Sequence, residues 1–365
     1  MTIPSHLLPA DGRFGSGPTR VRAGQLAALT AAGTGVLGTS HRQAPVERLV
    51  SRVRSGVAEL LGLPDGYEVV LGNGGSTAFW DAAAFCLVRE RAQHAVHGEF
   101  SSKFATVTDR APFLAPSVRV EAAPGSIARL SAVEGVDAHA YPHNETSTGA
   151  LAPVERIGGA DALTLVDATS AAGAVPVDLA ATDAYYFAPQ KAFGGDGGLW
   201  VATLSPAAVA RVEELTASRW VPAFLDLGAA LASSRKDQTV NTPALATLVL
   251  LAEQLDWMLE RGGLEWSAGR SAENAAHVYA WAEQRSWAAP FVEEAYRSPV
   301  VATVDLEGVD AAAVAAVLRE HGVVDVEPYR KLGRNQLRFG LFPAVPLADV
   351  EALTACIDHV VEALG

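Results

Sequence analysis

The run Leu163-Thr164-Leu165-Val166-Asp167-Ala168-Thr169-Ser170 decides the fold. A short apolar strand ends there in a carboxylate, at the end of the strand where open α/β sheets hold their ligands. A second apolar run, Tyr185-Tyr186-Phe187-Ala188, leads into Pro189-Gln190-Lys191-Ala192-Phe193-Gly194-Gly195. Outward from this pair, short strands are predicted at His94-Val96, Ser117-Val120, Ala138-Tyr141, Ala184-Phe187 and Leu199-Thr203. A further strand, Glu68-Leu71, precedes the loop Gly72-Asn73-Gly74-Gly75-Ser76 and a helix predicted over Thr77–Arg91. Ahead of it, Val46, Leu49, Val50, Val53, Val57, Leu60 and Leu61 recur at helical spacing. Strands alternating with helices imply an α/β fold with a mainly parallel central sheet.

Past residue 240 the pattern changes. Thr242-Pro243 reads as an N-cap followed by Pro at the first helical position, opening a long helix that stops at Gly262-Gly263. Then come a helix near 270–285, strand Val300-Asp305, helix Asp310-Glu320, strand Gln336-Gly340 and helix Leu347-Leu364, a small α+β unit. The expected division is a large α/β domain over 14–256 and a small C-terminal α+β domain over 257–365, joined by the segment 1–13.

Composition removes several function classes. The 365 residues carry 28 Lys plus Arg against 41 Asp plus Glu, a net charge of −13, which disfavours phosphate-neutralising nucleic-acid binding. With 49% hydrophobic and 19% charged residues the chain is not of disordered composition. No apolar stretch reaches the length of a membrane span, and Met1–Arg13 has no leader-like pattern, so a cytoplasmic protein is expected. Cys86 and Cys356 stand in apolar helical contexts without CxxC spacing and read as buried free thiols. His94, His97, His139 and His143 lack metal-ligand spacing, while His277, His321 and His359 fall in helical stretches and are expected at the surface. No metal site is assigned.

A lysine directly after an apolar strand, beside glycines and aromatics, is oddly placed for a solvated charge. In a dry pocket its amine would have a lowered pKa, suited to Schiff-base chemistry. Taken singly, Asp167 and Lys191 read as ordinary turn and loop residues. Together they match what pyridoxal 5'-phosphate requires: a Schiff-base lysine, a carboxylate against the pyridinium nitrogen, and an anion site for the phosphate. The third part is the glycine loop 72–75, where helix-start N–H groups and the Ser76 and Thr77 hydroxyls suit a phosphate. Strand-Asp then strand-Gln-Lys is the pattern of fold-type-I enzymes that use this cofactor.

On these residues the chain resembles the phosphoserine aminotransferases of aminotransferase class V, in their actinobacterial branch. The likeness runs through Phe14-Gly15-Ser16-Gly17-Pro18, Gly38-Thr39-Ser40-His41-Arg42, the glycine loop, Gly98-Glu99-Phe100-Ser101, Asn144-Glu145-Thr146-Ser147-Thr148-Gly149, the Asp167 strand, Pro189-Gln190-Lys191 and Val240-Asn241-Thr242-Pro243. The resemblance implies that Lys191 carries the cofactor and shuttles the substrate proton, and that Asp167 pairs with the ring nitrogen. It implies Phe100 on the ring face and Thr146 near the phenolic oxygen. It implies Ser76, Thr77 and Gln190 at the phosphate, joined by Asn241 and Thr242 from the second subunit of a homodimer. His41 and Arg42, also from across the dimer, would take the substrate's distal anion, and Arg338 its α-carboxylate. Read from the residues alone, Phe100 could be plain core, Thr242 a helix cap, His41-Arg42 an exposed turn, and Arg338 a strand residue in need of a partner.

This chain departs from the commoner family pattern at Ser76-Thr77, where many members have Ala-Arg, and at Phe100, where many have Trp. A C-terminal His-Arg pair common in the family is absent, leaving Arg330, Lys331 or Arg334 for the substrate phosphate. The implied reaction is ping-pong transfer between L-glutamate and 3-phosphohydroxypyruvate in serine biosynthesis, with phosphohydroxythreonine of pyridoxine biosynthesis as a second substrate. Alternatives are an alanine/serine–glyoxylate type class V aminotransferase, a lyase such as a cysteine desulfurase, which needs a mobile catalytic cysteine, and a non-enzymatic phosphate-binding scaffold.

Overall fold

A computed structural model describes residues 1–364. The chain opens with α1 (Ala23–Val36) and α2 (Ala44–Leu61), then alternates β1 (Glu68–Gly74), α3 (Ser76–Cys86), β2 (Ala92–Val96), α4 (Glu99–Arg110) and β3 (Val118–Glu121). It continues through β4 (Ala138–Pro142), the short pair β5 (Asn144–Glu145) and β6 (Ala150–Leu151), β7 (Leu163–Asp167), β8 (Ala184–Phe187) and β9 (Gly198–Leu204). Helices α5 (Pro206–Ser218), α6 (Leu227–Ser234), α7 (Leu245–Glu260) and α8 (Gly263–Glu283) follow. The last stretch holds β10 (Ala288–Pro290), β11 (Val301–Leu306), α9 (Ala311–Glu320), β12 (Gln336–Gly340) and α10 (Leu347–Leu364).

Seven strands form the central sheet in the order β1-β9-β8-β7-β4-β2-β3, with β9 antiparallel to both neighbours and the other pairs parallel. Its strands show why both faces are buried. On β8, Tyr185 and Phe187 enter one core with Val166, Val201 and the apolar faces of α2 and α7. Ala184 and Tyr186 enter the opposite core with Phe79, Trp80, Leu165 and Ala202. The period-two alternation is complete on both sides, so the strands read as unbroken apolar runs. The helix α2 lies close on α7 because Gly56 faces Leu255, whose side chain is 3.2 Å from where a Cβ would stand.

A second core forms where β10, β11 and β12 pair antiparallel under α8, α9 and α10. Ile3 and Phe14 of the N-terminal segment are buried in it. Residue 257 lies inside α7, which belongs to the large core, and the chain crosses to the second core through Arg261–Gly262 and α8. The N-terminal strand is stitched to late elements: Arg13 bridges Val324, Phe14 O accepts from Gly340 N at 2.7 Å, and buried Arg20 pairs with Asp349 at 2.7 Å.

Three local expectations are corrected. Helix α3 begins at Ser76 and ends at Cys86, not Arg91. The apolar run continues through buried Leu87 and Val88, but Asp137 accepts the backbone N–H groups of Arg89, Glu90 and Arg91 in a turn. Helix α7 begins at Leu245 with Ala244 at the cap position, so Thr242 is not its N-cap. The three late histidines are half-buried rather than surface residues: His277 bonds Thr354, His321 accepts from Ile3 N, and His359 reaches Thr2 O.

Candidate active site

Lys191 follows β8 through the turn Ala188–Gln190, and the turn carries its side chain into the molecule: the residue is only 6% exposed. Its Nζ donates to the Ser16 carbonyl at 2.7 Å and approaches Thr146 Oγ1 at 3.5 Å. Burial, aided by the Arg338 charge and opposed by Asp167 and Glu145, brings the amine down to about 7. Such a group is substantially uncharged, hence nucleophilic, near neutrality. Gly17 makes the close approach possible, because a Cβ there would lie 2.2 Å from Lys191 Cε.

Asp167 ends β7, three strands from the sheet's β1 edge, and turns back on itself. Its Oδ1 accepts Thr169 N at 2.9 Å and Thr169 Oγ1 at 2.5 Å, while Oδ2 accepts the Trp80 indole N–H at 2.9 Å. Burial raises its pKa, with the Thr169 and Trp80 donors opposing the rise. Thr169 Oγ1 also meets Ser76 Oγ at 2.5 Å, which ties the glycine loop to the carboxylate.

Phe100 sits between plain core and open surface. Its ring lies 5.9 Å from Lys191 Nζ and meets Tyr329 edge-on at 5.7 Å. Buried Glu145 holds it there, accepting Phe100 N at 3.3 Å and Ser101 N at 2.9 Å at the start of α4. Thr146 is buried and donates to Ser170 Oγ at 2.8 Å. Arg338, on β12, donates Nη1 to Thr146 O at 3.1 Å and has no acidic partner among the described residues. Its Nε is buried and unpaired, as are Ser16 Oγ, Asn144 Oδ1 and Gln190 Oε1 around the same centre. A guanidinium so placed calls for an anion.

The first turn of α3 has no side-chain cap, and its exposed Thr77 lines a cleft shared with Lys103 and Lys331. By contrast the α4 start is filled by Glu145. His41, Arg42, Asn241 and Thr242 form a separate exposed cluster. Arg42 donates to Gln238 Oε1 at 2.5 Å and Val240 O at 3.1 Å, His41 meets Thr242 Oγ1 at 3.1 Å, and Asn73 Nδ2 donates to Thr242 O at 2.8 Å. Thus one chain brings together Lys191, Asp167, Thr146, Phe100, Ser76 and Arg338 but not this second group. Of the C-terminal basic residues, Arg334 is committed to Asp305 and Lys331 to Glu99.

A family model, aminotransferase class-V, matches residues 20–326. The chain belongs to the class-V aminotransferases. As a class-V aminotransferase it has full-length relatives. A Mycolicibacterium vanbaalenii protein is 60% identical across 100% of this chain and 99% of its own length. A phosphoserine aminotransferase of Nocardioides sp. is 57% identical across 100% and 99%. The crystal structure of a phosphoserine aminotransferase from Cytophaga hutchinsonii shares the fold, with a TM-score of 0.89 at 24% identity over 96% of this chain and 99% of that one. An alanine–glyoxylate aminotransferase of Nostoc sp. also shares it, at TM-score 0.81 and 22% identity over 99% and 97%.

Several residues at the centre of this class-V aminotransferase were not singled out from sequence. Ser16 and Gly17 lie in a recognised motif, but nothing local shows that a lysine 175 positions away meets them. Thr169 was findable, since Asp-x-Thr is a side-chain turn pattern. Trp80 was not: an apolar helix position gives no sign that its N–H reaches a carboxylate 87 residues on. The cysteine-dependent alternative is disfavoured, because burial pushes the thiols of Cys86 and Cys356 up to about 12 and about 11.

Proposed function

We propose that this chain is a phosphoserine transaminase, moving an amino group between L-glutamate and 3-phosphohydroxypyruvate with pyridoxal 5'-phosphate as cofactor. The observation that carries the reading is the buried Lys191 amine, held by the Ser16 carbonyl at 2.7 Å, lowered to about 7 and within reach of the Asp167 charge. The cofactor's contribution is an electron sink for the carbanion formed at the substrate's Cα. The residues present fit it: an uncapped helix start for its phosphate, a carboxylate for its ring nitrogen, and unpaired polar atoms around one small centre. In this reading Ser76, Thr77 and Gln190 would hold the phosphate, Phe100 would cover the ring, and Thr146 would bond its phenolic oxygen.

The protein's own part is to bind, orient and move a proton. Arg338 clamps the substrate α-carboxylate, using donors that have no carboxylate within the chain. Lys191 would take the proton from the substrate's Cα and hold it on Nζ. The Ser16 carbonyl and Thr146 hydroxyl hold that amine in line, and Phe100 and Tyr329 keep water off it. A homodimer brings His41 and Arg42 to the neighbouring site as the distal anion clamp, with Asn241 and Thr242 at the cofactor phosphate. Its support is the exposed cluster these residues form and the large apolar side chains of Trp220 and Phe224, left 77% and 56% exposed in the single chain. No helix of the described residues is long and apolar enough to cross a membrane, consistent with action in the cytoplasm on serine and pyridoxine precursors.

The test is the visible absorbance of protein loaded with pyridoxal 5'-phosphate. The band should disappear on adding phosphoserine or glutamate and persist with alanine. A loaded protein indifferent to phosphoserine but responsive to alanine and glyoxylate would overturn the substrate.

A further inference from the structure

Asp167 is restrained on both oxygens, by donors of different origin. Thr169 is two residues away and grips Oδ1 as part of the local turn. Trp80 comes from α3, one turn beyond the glycine loop, and grips Oδ2 at 2.9 Å. We propose that Trp80 is a positioning residue that aims Asp167 Oδ2 at the ring nitrogen of the cofactor. The inference rests on the cofactor reading above.

An indole N–H can donate but never accept. Its bond to Oδ2 therefore favours the ionised carboxylate, the form that pairs with a protonated ring nitrogen. It also fixes the direction in which that oxygen's remaining lone pair points. The indole cannot swing away. It is buried, and its ring lies 6.0 Å from that of Phe104 at an interplanar angle of 15°. Phe104 in turn meets buried Tyr186 edge-on. Carboxylate, indole and phenyl ring thus form one rigid stack running from the sheet end into the helical layer. A small cavity of about 10 Å³, lined by His94, Phe100, Phe104, Pro142 and Asp167, adjoins the carboxylate. Oδ1 already accepts two bonds from Thr169, so Oδ2, held by Trp80 alone, is the oxygen with accepting capacity left for a ring nitrogen.

Filling space alone would make Trp80 indifferent to the ring nitrogen of whatever binds. The test measures dissociation constants of the apoprotein for pyridoxal 5'-phosphate and for its deaza analogue, in which carbon replaces the ring nitrogen. In the native protein the true cofactor should bind more tightly than the analogue. Trp80→Phe keeps the ring and removes the N–H. It should weaken the true cofactor by about tenfold, the value of a hydrogen bond to a charged group, and leave the analogue unchanged. Equal weakening of both ligands, or of neither, overturns the role of Trp80 while the cofactor reading stands. A native protein that binds neither ligand overturns both. If Trp80→Phe fails to fold, benzothienylalanine at position 80, with sulfur in place of the N–H, makes the same comparison.

Discussion

At the scale of the residue, the amine of Lys191 is the most consequential group. Its pKa falls from 10.5 to about 7 on folding. Between those values the unfolded chain binds a proton that the native apoprotein does not, so stability rises with pH across that window and is flat below it. Lys191→Met removes the effect. The difference in unfolding free energy between native and Lys191→Met apoprotein should shift in favour of the native chain by about 1.4 kcal/mol per pH unit between pH 7.5 and 9.5. Urea unfolding at several pH values checks it, and a pH-independent difference would refute the lowered amine. Arg338 gives a second prediction. Arg338→Lys retains a charge but not a two-pronged clamp, so KM for glutamate should rise about ten- to a hundredfold with a smaller change in kcat. Steady-state kinetics with glutamate and phosphoserine measures both. A change in kcat alone would place Arg338 elsewhere in the reaction.

At the scale of the element, two helix starts behave oppositely. Helix α6 is capped by Asp226, whose carboxylate accepts Ala229 N at 3.0 Å, whereas α7 begins at Leu245 without help from Thr242. Asp226→Ala should cost about 1 kcal/mol and Thr242→Ala much less, while only the latter should weaken cofactor binding. Thermal unfolding and cofactor titration of both variants separate the cases. Thr242-Pro243 satisfied the local grammar of a helix start, yet Pro243 is buried and the helix is delayed by two residues. Most other elements were legible because their patterns are strong: the short unbroken apolar run of β8 fits a strand buried on both faces, and the α2 apolar stripe fits a helix. The end of α3 was not legible, since Leu87 and Val88 continue the apolar run and a carboxylate from Asp137, far along the chain, stops the helix. In the site, Asp167 and Lys191 could be read because one ends an apolar strand and the other follows one closely. Trp80, Ser16 and Glu145 could not, because their partners are set by tertiary packing alone.

At the scale of the whole molecule, the proposed homodimer makes the cluster of His41, Arg42, Asn241 and Thr242 a contribution to the other subunit's site. Mixing two inactive variants, Lys191→Ala and Arg42→Ala, should therefore restore activity. Each mixed dimer would contain one site with both residues intact, giving about a quarter of native activity after random reassortment. Absence of recovery, with exchange verified by mass, would place both residues in one chain's site.

The stitching of the N-terminal strand to β12 and α10 has a consequence in time. Residues 11–20 leave the ribosome long before Val324, Gly340 and Asp349, their partners. The pair Arg20–Asp349 spans 329 positions, so at ~5–20 residues per second the early strand waits roughly 15–65 s for its place. Ser16, whose carbonyl holds the Lys191 amine, lies in that waiting strand. The seven-stranded sheet can assemble during synthesis, whereas the lysine gains Ser16 as a settled neighbour only after Gly340 and Asp349 are made to seat that segment. The birth of reactivity is thereby postponed until residue 349 has emerged, and a chain cut short before it would carry the nucleophile without the contact that aligns it.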